Sequence, residues 1–330
     1  MASDLQTHAP SFGQRVRAVL LSQEGVLFLL LLIVIAALSG RSEAFFTLRN
    51  LLNQGRLMSE VGLVALPMTF IIITGGIDLS VGSILGLCAI SLGVLWQGLG
   101  LPLEVVLPLV LLIGLLAGLF NGLLIVRVGV PPLIMTLATL ALYRGLAQGV
   151  SQARSVTGYP EWFFIFGQGS VFGLPLQLLV FMVMALVSSV VLSSTVLGRA
   201  LYAIGNNAVG ARFSGLPVGR SLMTIYGFSG LMGALAAIIF VSRVTTTRSD
   251  MGSGVELDAI AAVVLGGTSI FGGKGSILGT VIGLVLIQLL KNGLALMGVT
   301  SDATIIVIGT MLILAILVNN VIQGRRGGAM

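Results

Sequence analysis

Four ionisable side chains, Asp78, Arg144, Asp258 and Lys291, stand within or beside long apolar runs. A charge at the centre of a membrane helix costs about 2.5 kcal/mol or more, so each is a functional candidate until a cheaper role is found. Each stands near the end of its run, where arginine and lysine can snorkel to the interface. Asp78 follows Gly75-Gly76-Ile77 and is placed to cap a helix that starts at Ser80, a reading favoured over proton transfer. Because no acid is expected deep inside a span, ion-coupled transport by this chain alone is disfavoured and an outside energy source is favoured. Neither paired carboxylates nor a Ser/His constellation accompanies these residues. His8 is the one histidine and Cys88 the one cysteine, which excludes an intrachain disulfide and a cysteine metal site. No catalytic residue and no metal ligand is assigned.

One stretch invites a nucleotide-binding reading. Gly267 is followed by Gly273-Lys274, as in a phosphate-cradling loop. That loop needs four residues between its glycines; here Thr268 to Gly272 intervene, and Gly275 replaces the serine or threonine that would reach magnesium. ATP binding by this chain is rejected.

These residues must be positioned by a membrane bundle. The chain is 56% hydrophobic and 8% charged, against roughly 25% charged for a soluble domain. Its apolar runs reach the roughly 20 residues that cross a hydrocarbon core, and they lack the alternation of a membrane barrel. The expectation is an all-α polytopic protein with about ten spans, near 25–40, 58–74, 81–97, 103–126, 133–150, 174–194, 222–242, 257–270, 276–297 and 303–322. Residues 1–24 and 323–330 are read as cytoplasmic tails around a single membrane domain, 25–322. Val26 to Leu38 is read as a retained span rather than a cleaved signal segment. The net charge of +6 reflects scattered basic residues flanking apolar runs, which suits membrane topology and not nucleic acid. Arg15, Arg17, Arg127, Arg199, Arg212, Arg220, Lys274, Arg325 and Arg326 fall inside under this scheme, against Arg41, Arg49, Arg56, Arg154, Arg243 and Arg248 outside.

Two glycine-rich breaks interrupt the apolar sequence: Gly75 to Ser83 and Gly266 to Ser276, each leading into Ile-Leu-Gly. Gly75, Gly76, Asp78, Ser80 and Gly82 in the first, and Gly266, Gly267, Gly272, Gly273 and Gly275 in the second, are read as hinges on the cytoplasmic side, near an inner gate. Glycines also recur every fourth residue: Gly82 and Gly86; Gly114, Gly118 and Gly122; Gly145 and Gly149; Gly275, Gly279 and Gly283. On a helix such stripes let backbones approach closely. Residues 195–221 are polar and basic; a short helix is expected from about Asn207 to Phe213, capped from Gly205-Asn206 and stopped at Gly215-Leu216-Pro217. From the residues alone, this stretch is either a solvated connector or a docking surface.

Three motifs in order carry a resemblance. Gly-Gly-Ile-Asp-Leu-Ser-Val-Gly-Ser at 75–83, Ala203-Ile204-Gly205-Asn206-Asn207 with Ser214-Gly215-Leu216-Pro217-Val218, and Ala262 to Gly267 with Gly273-Lys274-Gly275-Ser276 resemble the permeases of ribose-type sugar ABC importers. Val64 to Thr69 and Ala153 to Pro160 look closest to the autoinducer-2 and rhamnose branches. The resemblance covers about 25–322 and implies a ten-helix bundle like that of the vitamin B12 importer. It implies a second permease copy or sister permease, two cytoplasmic ABC ATPase domains, a periplasmic sugar-binding protein, and the bacterial inner membrane with both termini cytoplasmic. ATP and magnesium would sit on the partner subunits, with no cofactor in this chain. Carried over by position, Gly205, Asn206, Asn207, Ala211, Arg212, Ser214, Gly215 and Pro217 would form the coupling helix that meets the ATPase. A sugar would then cross by alternating access, the binding protein docking on loops 151–173 and 243–256. The alternatives are a stand-alone ion-coupled carrier and a non-transporting membrane scaffold.

Overall fold

The computed structural model describes residues 44–152 and 154–310, with positions 25, 28, 29, 31–33, 35, 36, 40 and 313. Both expected tails, and parts of the expected first and tenth spans, lie outside the described residues. From residue 44 on, the described helices in chain order begin with α1 (Leu48–Ile73), α2 (Val81–Gly98, its last turn a π-turn), α3 (Leu103–Val128, likewise) and α4 (Pro132–Ser151). A surface segment follows, with β1 (Val156–Thr157), a 3₁₀ turn (Glu161–Phe164), α5 (Ile165–Gln168), β2 (Ser170–Val171) and β3 (Leu174–Pro175). Next come α6 (Leu176–Ser194), α7 (Val196–Asn206), α8 (Ala208–Phe213), α9 (Val218–Val244), β4 (Thr246–Thr247), α10 (Val255–Leu265), α11 (Ile277–Leu296) and α12 (Ser301–Thr310). Seven of the described helices, α1, α2, α3, α4, α6, α9 and α11, are long and apolar enough to span a membrane.

Local chemistry sets the boundaries. The Thr47 hydroxyl accepts from the Asn50 N–H at 3.3 Å to start α1, and the Ser276 hydroxyl accepts from Gly279 at 3.0 Å to start α11. Helix α4 opens with Pro132 at its first position, where a missing N–H costs nothing. Helix α1 continues past Pro67, which leaves the Leu63 carbonyl without its helical donor.

Packing follows the glycine stripes. A Cβ on Gly114 or Gly118 of α3 would overlap the backbone oxygen of Gly230 or Tyr226 on α9. Gly279 and Gly283 of α11 press likewise against Gly266 and Ala262 at the end of α10. Three stripes thus serve close contact within the chain; among the described residues, a Cβ on Gly145 or Gly149 of α4 would meet nothing within 4 Å. Helices α1 and α9 are the most enclosed, and α4 and α6 form the periphery.

Two expectations about the bundle change. The expected eighth span, 257–270, is an 11-residue helix, α10, about 16 Å long at 1.5 Å per residue and so half the hydrocarbon thickness. It is short because the connector after α9 folds back inward: a Cβ on Gly82 would overlap the Gly252 oxygen and Glu256. Residues 195–221 are also more helical than expected, since α7 occupies their first half and α9 begins at Val218.

Candidate functional site

The two breaks and the 195–221 segment meet at one place. The Gly273 N–H donates to the Ile73 carbonyl at 2.8 Å, joining the second break to the end of α1. Gly205, in the last turn of α7, fills the remaining gap: a Cβ there would overlap the Ile73 oxygen and the Gly273 nitrogen. Seen from the other side, a Cβ on Gly272 would stand 2.8 Å from the Gly205 oxygen and 3.1 Å from the Gly75 nitrogen. Gly75, Gly272 and Gly273 have φ of 81°, 86° and 75°, a region costly for any other residue. The Tyr202 hydroxyl donates to the Gly275 carbonyl at 2.7 Å, and burial holds its phenol pKa above the ordinary value, so it stays a donor. Three chain segments distant in sequence thus meet backbone to backbone, with the Tyr202 hydroxyl as a side-chain tie.

The first break climbs from this joint into the bundle. Asp78 is fully buried; one carboxylate oxygen accepts from the Ser80 N–H at 2.9 Å and from the Ser80 hydroxyl at 2.6 Å. The other accepts from the Ser229 hydroxyl of α9 at 2.8 Å. Asn121 of α3 donates to the Ser80 hydroxyl at 2.7 Å, and Thr136 of α4 donates to the Ile77 carbonyl at 3.0 Å. Asp78 is therefore not the cap expected: α2 starts at Val81 with Ser80 as its N-cap, and Asp78 forms a turn onto Ser80 while its second oxygen ties the break to a neighbouring helix. Ser229 is eleven residues into α9, about 16 Å along its axis from Val218. The far end of the first break is thus deep in the bundle, not at its surface.

Helix α8 lies beyond the joint. Its cap is Asn207, whose side-chain oxygen accepts from the Gly210 N–H at 2.8 Å. Gly205 and Asn206, expected to supply that cap, instead end α7, because the packing at Ile73 and Gly273 fixes them there. Ala211 is buried with Ile204 and Val218, which seats α8 on the bundle. Val209 and Phe213 face outward, Phe213 at 89% exposure. Gly215 ends the turn at φ 80°, ahead of Pro217. Of the expected coupling residues, Asn206, Asn207, Arg212, Ser214, Gly215 and Pro217 are exposed, Gly205 is half-buried and Ala211 is buried.

The charged residues take other roles than expected. Lys291 does not snorkel: its ammonium donates to Asp258 at 2.6 Å, pairing α11 with α10. Nor does Arg144, whose guanidinium donates to the carbonyls of Ser249 and Met251 at 2.8 Å each. It pins the re-entrant connector that precedes α10. Sequence reasoning missed Glu60, buried 12 residues into α1, whose oxygens accept from Arg243 of α9 at 2.6 and 3.1 Å. An acid two residues into the expected 58–74 span was the signal for it. The expectation of no acid deep in a span is thus corrected, and Arg243 gives the physical reason that one is tolerated.

The opposite end of the bundle carries the surface segment. Trp96 stacks on Tyr159 with ring centroids 4.5 Å apart, and Phe163 adjoins at 5.2 Å. β1 pairs antiparallel with β4, tying this segment to the connector after α9. β2 and β3 form a hairpin with Phe172 and Gly173 at φ of 52° and 80°, and Phe172 projects fully into the surroundings.

Comparison with known proteins agrees with this architecture. Residues 50–316 match the family described as branched-chain amino acid transport system / permease component. The chain is 42% identical over 262 residues to the autoinducer 2 import system permease protein LsrD of Yersinia enterocolitica, covering 78% of this chain and 79% of that one. It is 43% identical over 262 residues to the LsrD protein of Yersinia pseudotuberculosis serotype O:1b, with 78% of each covered. The LsrD protein of Photorhabdus laumondii is 42% identical over 262 residues, again with 78% of each covered. No solved structure matches. The resemblance drawn from the three motifs is borne out by these relatives. A multi-pass helical chain whose glycine breaks and polar segment converge, and which matches this model over most of its length, belongs to the permease-component family of branched-chain amino acid transport systems.

Proposed function

We propose that this chain is the membrane-spanning permease subunit of a binding-protein-dependent ABC importer. It moves autoinducer-2 or a similar sugar-like solute by alternating access, driven by separate ATPase subunits. The solute class rests on the relatives, which are named as autoinducer-2 import permeases. The observation that carries the mechanism is the joint at Gly205. A push on α8 is passed through α7 to Ile73 and Gly273, and so to both breaks at once. Glycine joints with positive φ and few helical bonds yield more easily than the helices around them.

In this reading α8 is the coupling helix, with Phe213 and Val209 as its apolar contact to the ATPase. The α8 end faces the cytoplasm, with both termini on that side. The aromatic segment, the β1–β4 ribbon and the Phe172 hairpin face the binding protein. The half-span α10 and the first break line the path near the middle of a ten-helix bundle like that of the vitamin B12 importer. The chain acts in the bacterial inner membrane beside a second copy or a sister permease, and ATP and magnesium are held by the partner subunits.

The test is twofold. Phe213→Glu should cut co-purification of the ATPase subunit and ATP-driven uptake by tenfold or so, on the order seen for interface anchors, without changing the thermal stability of the permease. Undiminished capture and uptake would refute the coupling role. Proteoliposomes holding this chain without ATPase, given only a proton or sodium gradient, should accumulate nothing; accumulation there would favour an ion-coupled carrier.

A further inference from the structure

At the α8 end of the bundle, a cavity of about 360 Å³ is lined by three arginines from three elements. Arg127 comes from the last turn of α3, Arg212 from α8 and Arg220 from the first turn of α9. All three are exposed. Among the described residues, the ion pairs are Arg243–Glu60, Arg248–Asp250 and Lys291–Asp258, so no carboxylate neutralises this cluster. Nor does any of the three guanidiniums donate a hydrogen bond to a described residue. Three like charges around one cavity repel one another and are stabilised by a shared anion.

The remaining wall decides which anion. Val126, Val218 and Met223 supply an apolar side, with Val218 buried and the other two half-buried. Arg127 is the second residue from the end of a 26-residue span, and Arg220 the third residue of a 27-residue one. Both are therefore at the level of lipid phosphates, where basic side chains gain from anionic headgroups. A soluble anion would use the three charges and leave the apolar wall idle. We infer that this cavity binds the headgroup of an anionic phospholipid, the phosphate bridging Arg212 of α8 to Arg127 and Arg220 on the span ends. Such a lipid would brace α8 against the bundle.

The probe is spin-labelled phosphatidylglycerol, compared with spin-labelled phosphatidylcholine, on the full chain in detergent micelles. The wild type should hold phosphatidylglycerol in preference, and high salt should weaken that preference. Arg127→Gln and Arg220→Gln should each lower phosphatidylglycerol binding about fivefold, on the scale of one basic residue at a membrane surface, and the double variant should erase the preference. Arg127→Lys with Arg220→Lys, which keeps the charge, should restore most of it. If the double glutamine variant does not fold, the single variants and the lysine pair still decide the matter. A preference unchanged in the glutamine variants overturns the proposal. So does displacement of the lipid by millimolar inorganic phosphate, which would mark a free-anion site. Displacement by added ATPase subunit would overturn it too, by assigning the arginines to the protein interface.

Discussion

Glycine brings backbones together in two regions of this molecule, with opposite mechanical results. Along α3 and α9, Gly114, Gly118 and Gly230 sit inside long continuous helices. Removing the side chains there lets two rods touch, and the contact is broad and apolar. At the Gly205 joint, Gly75, Gly272 and Gly273 take left-handed backbone angles in segments without helical bonding. There glycine lets the chain turn as well as approach. The same residue lets two helices pack tightly in the first region and lets the chain turn in the second. Backbone angle separates them; glycine spacing alone does not.

The largest effect should come from breaking the tight packing. Gly118→Leu forces carbon onto the Tyr226 carbonyl and should cost about 3 kcal/mol, the upper range for overpacking. Thermal unfolding of the detergent-solubilised chain would read it, and an unchanged midpoint would remove the claim that this contact is rigid. Gly205→Ala tests the joint. Its Cβ falls on the backbone of Ile73 and Gly273, which must shift to admit it; if the glycine segments there yield, the chain should stay folded yet lose ATP-driven uptake by on the order of tenfold, as hinge substitutions do. A stability loss as large as that of Gly118→Leu, with coupling intact in what remains folded, would show the joint to be a second tight packing contact.

Smaller effects sharpen the boundary between the two regions. Ser229→Ala removes one donor from Asp78 and should cost about 1 kcal/mol, since the carboxylate keeps its bonds to Ser80. A thermal midpoint equal to that of the wild type would mean the first break is held without this bond to α9. Gly145→Ala should be the mildest change. Its Cβ meets nothing, so stability should rise by up to about 1 kcal/mol from helix propensity alone. A fall instead, with loss of permease dimers in cross-linking, would identify the open α4 face as a subunit contact.

Much of the fold was readable from hydrophobic runs. Seven expected spans correspond to described helices because about 20 apolar residues admit few other structures in a bilayer. The short α10 was not readable as a half-span, since its apolar length merged with the break that follows it. The cap of α8 was misplaced by one residue because Asn206 and Asn207 carry the same side chain; packing of Gly205 chose between them. Arg144 and Lys291 were read as snorkelling because each stands near a span end. Their partners, the carbonyls of 249 and 251 and Asp258, are far away in sequence.

By itself the sequence determined a multi-pass helical protein, the family it belongs to and the positions of its two breaks. Each follows from local composition: apolar length, turn-forming glycines and short motifs. Only the tertiary structure decided that the breaks meet each other at Gly205, that Asp78 is bonded to α9, and that Glu60 is tolerated through Arg243. These are contacts between segments tens to hundreds of residues apart. In a bilayer, apolar helices gain little from hydrophobicity on meeting, so close packing and the pairing of buried polar groups select their neighbours.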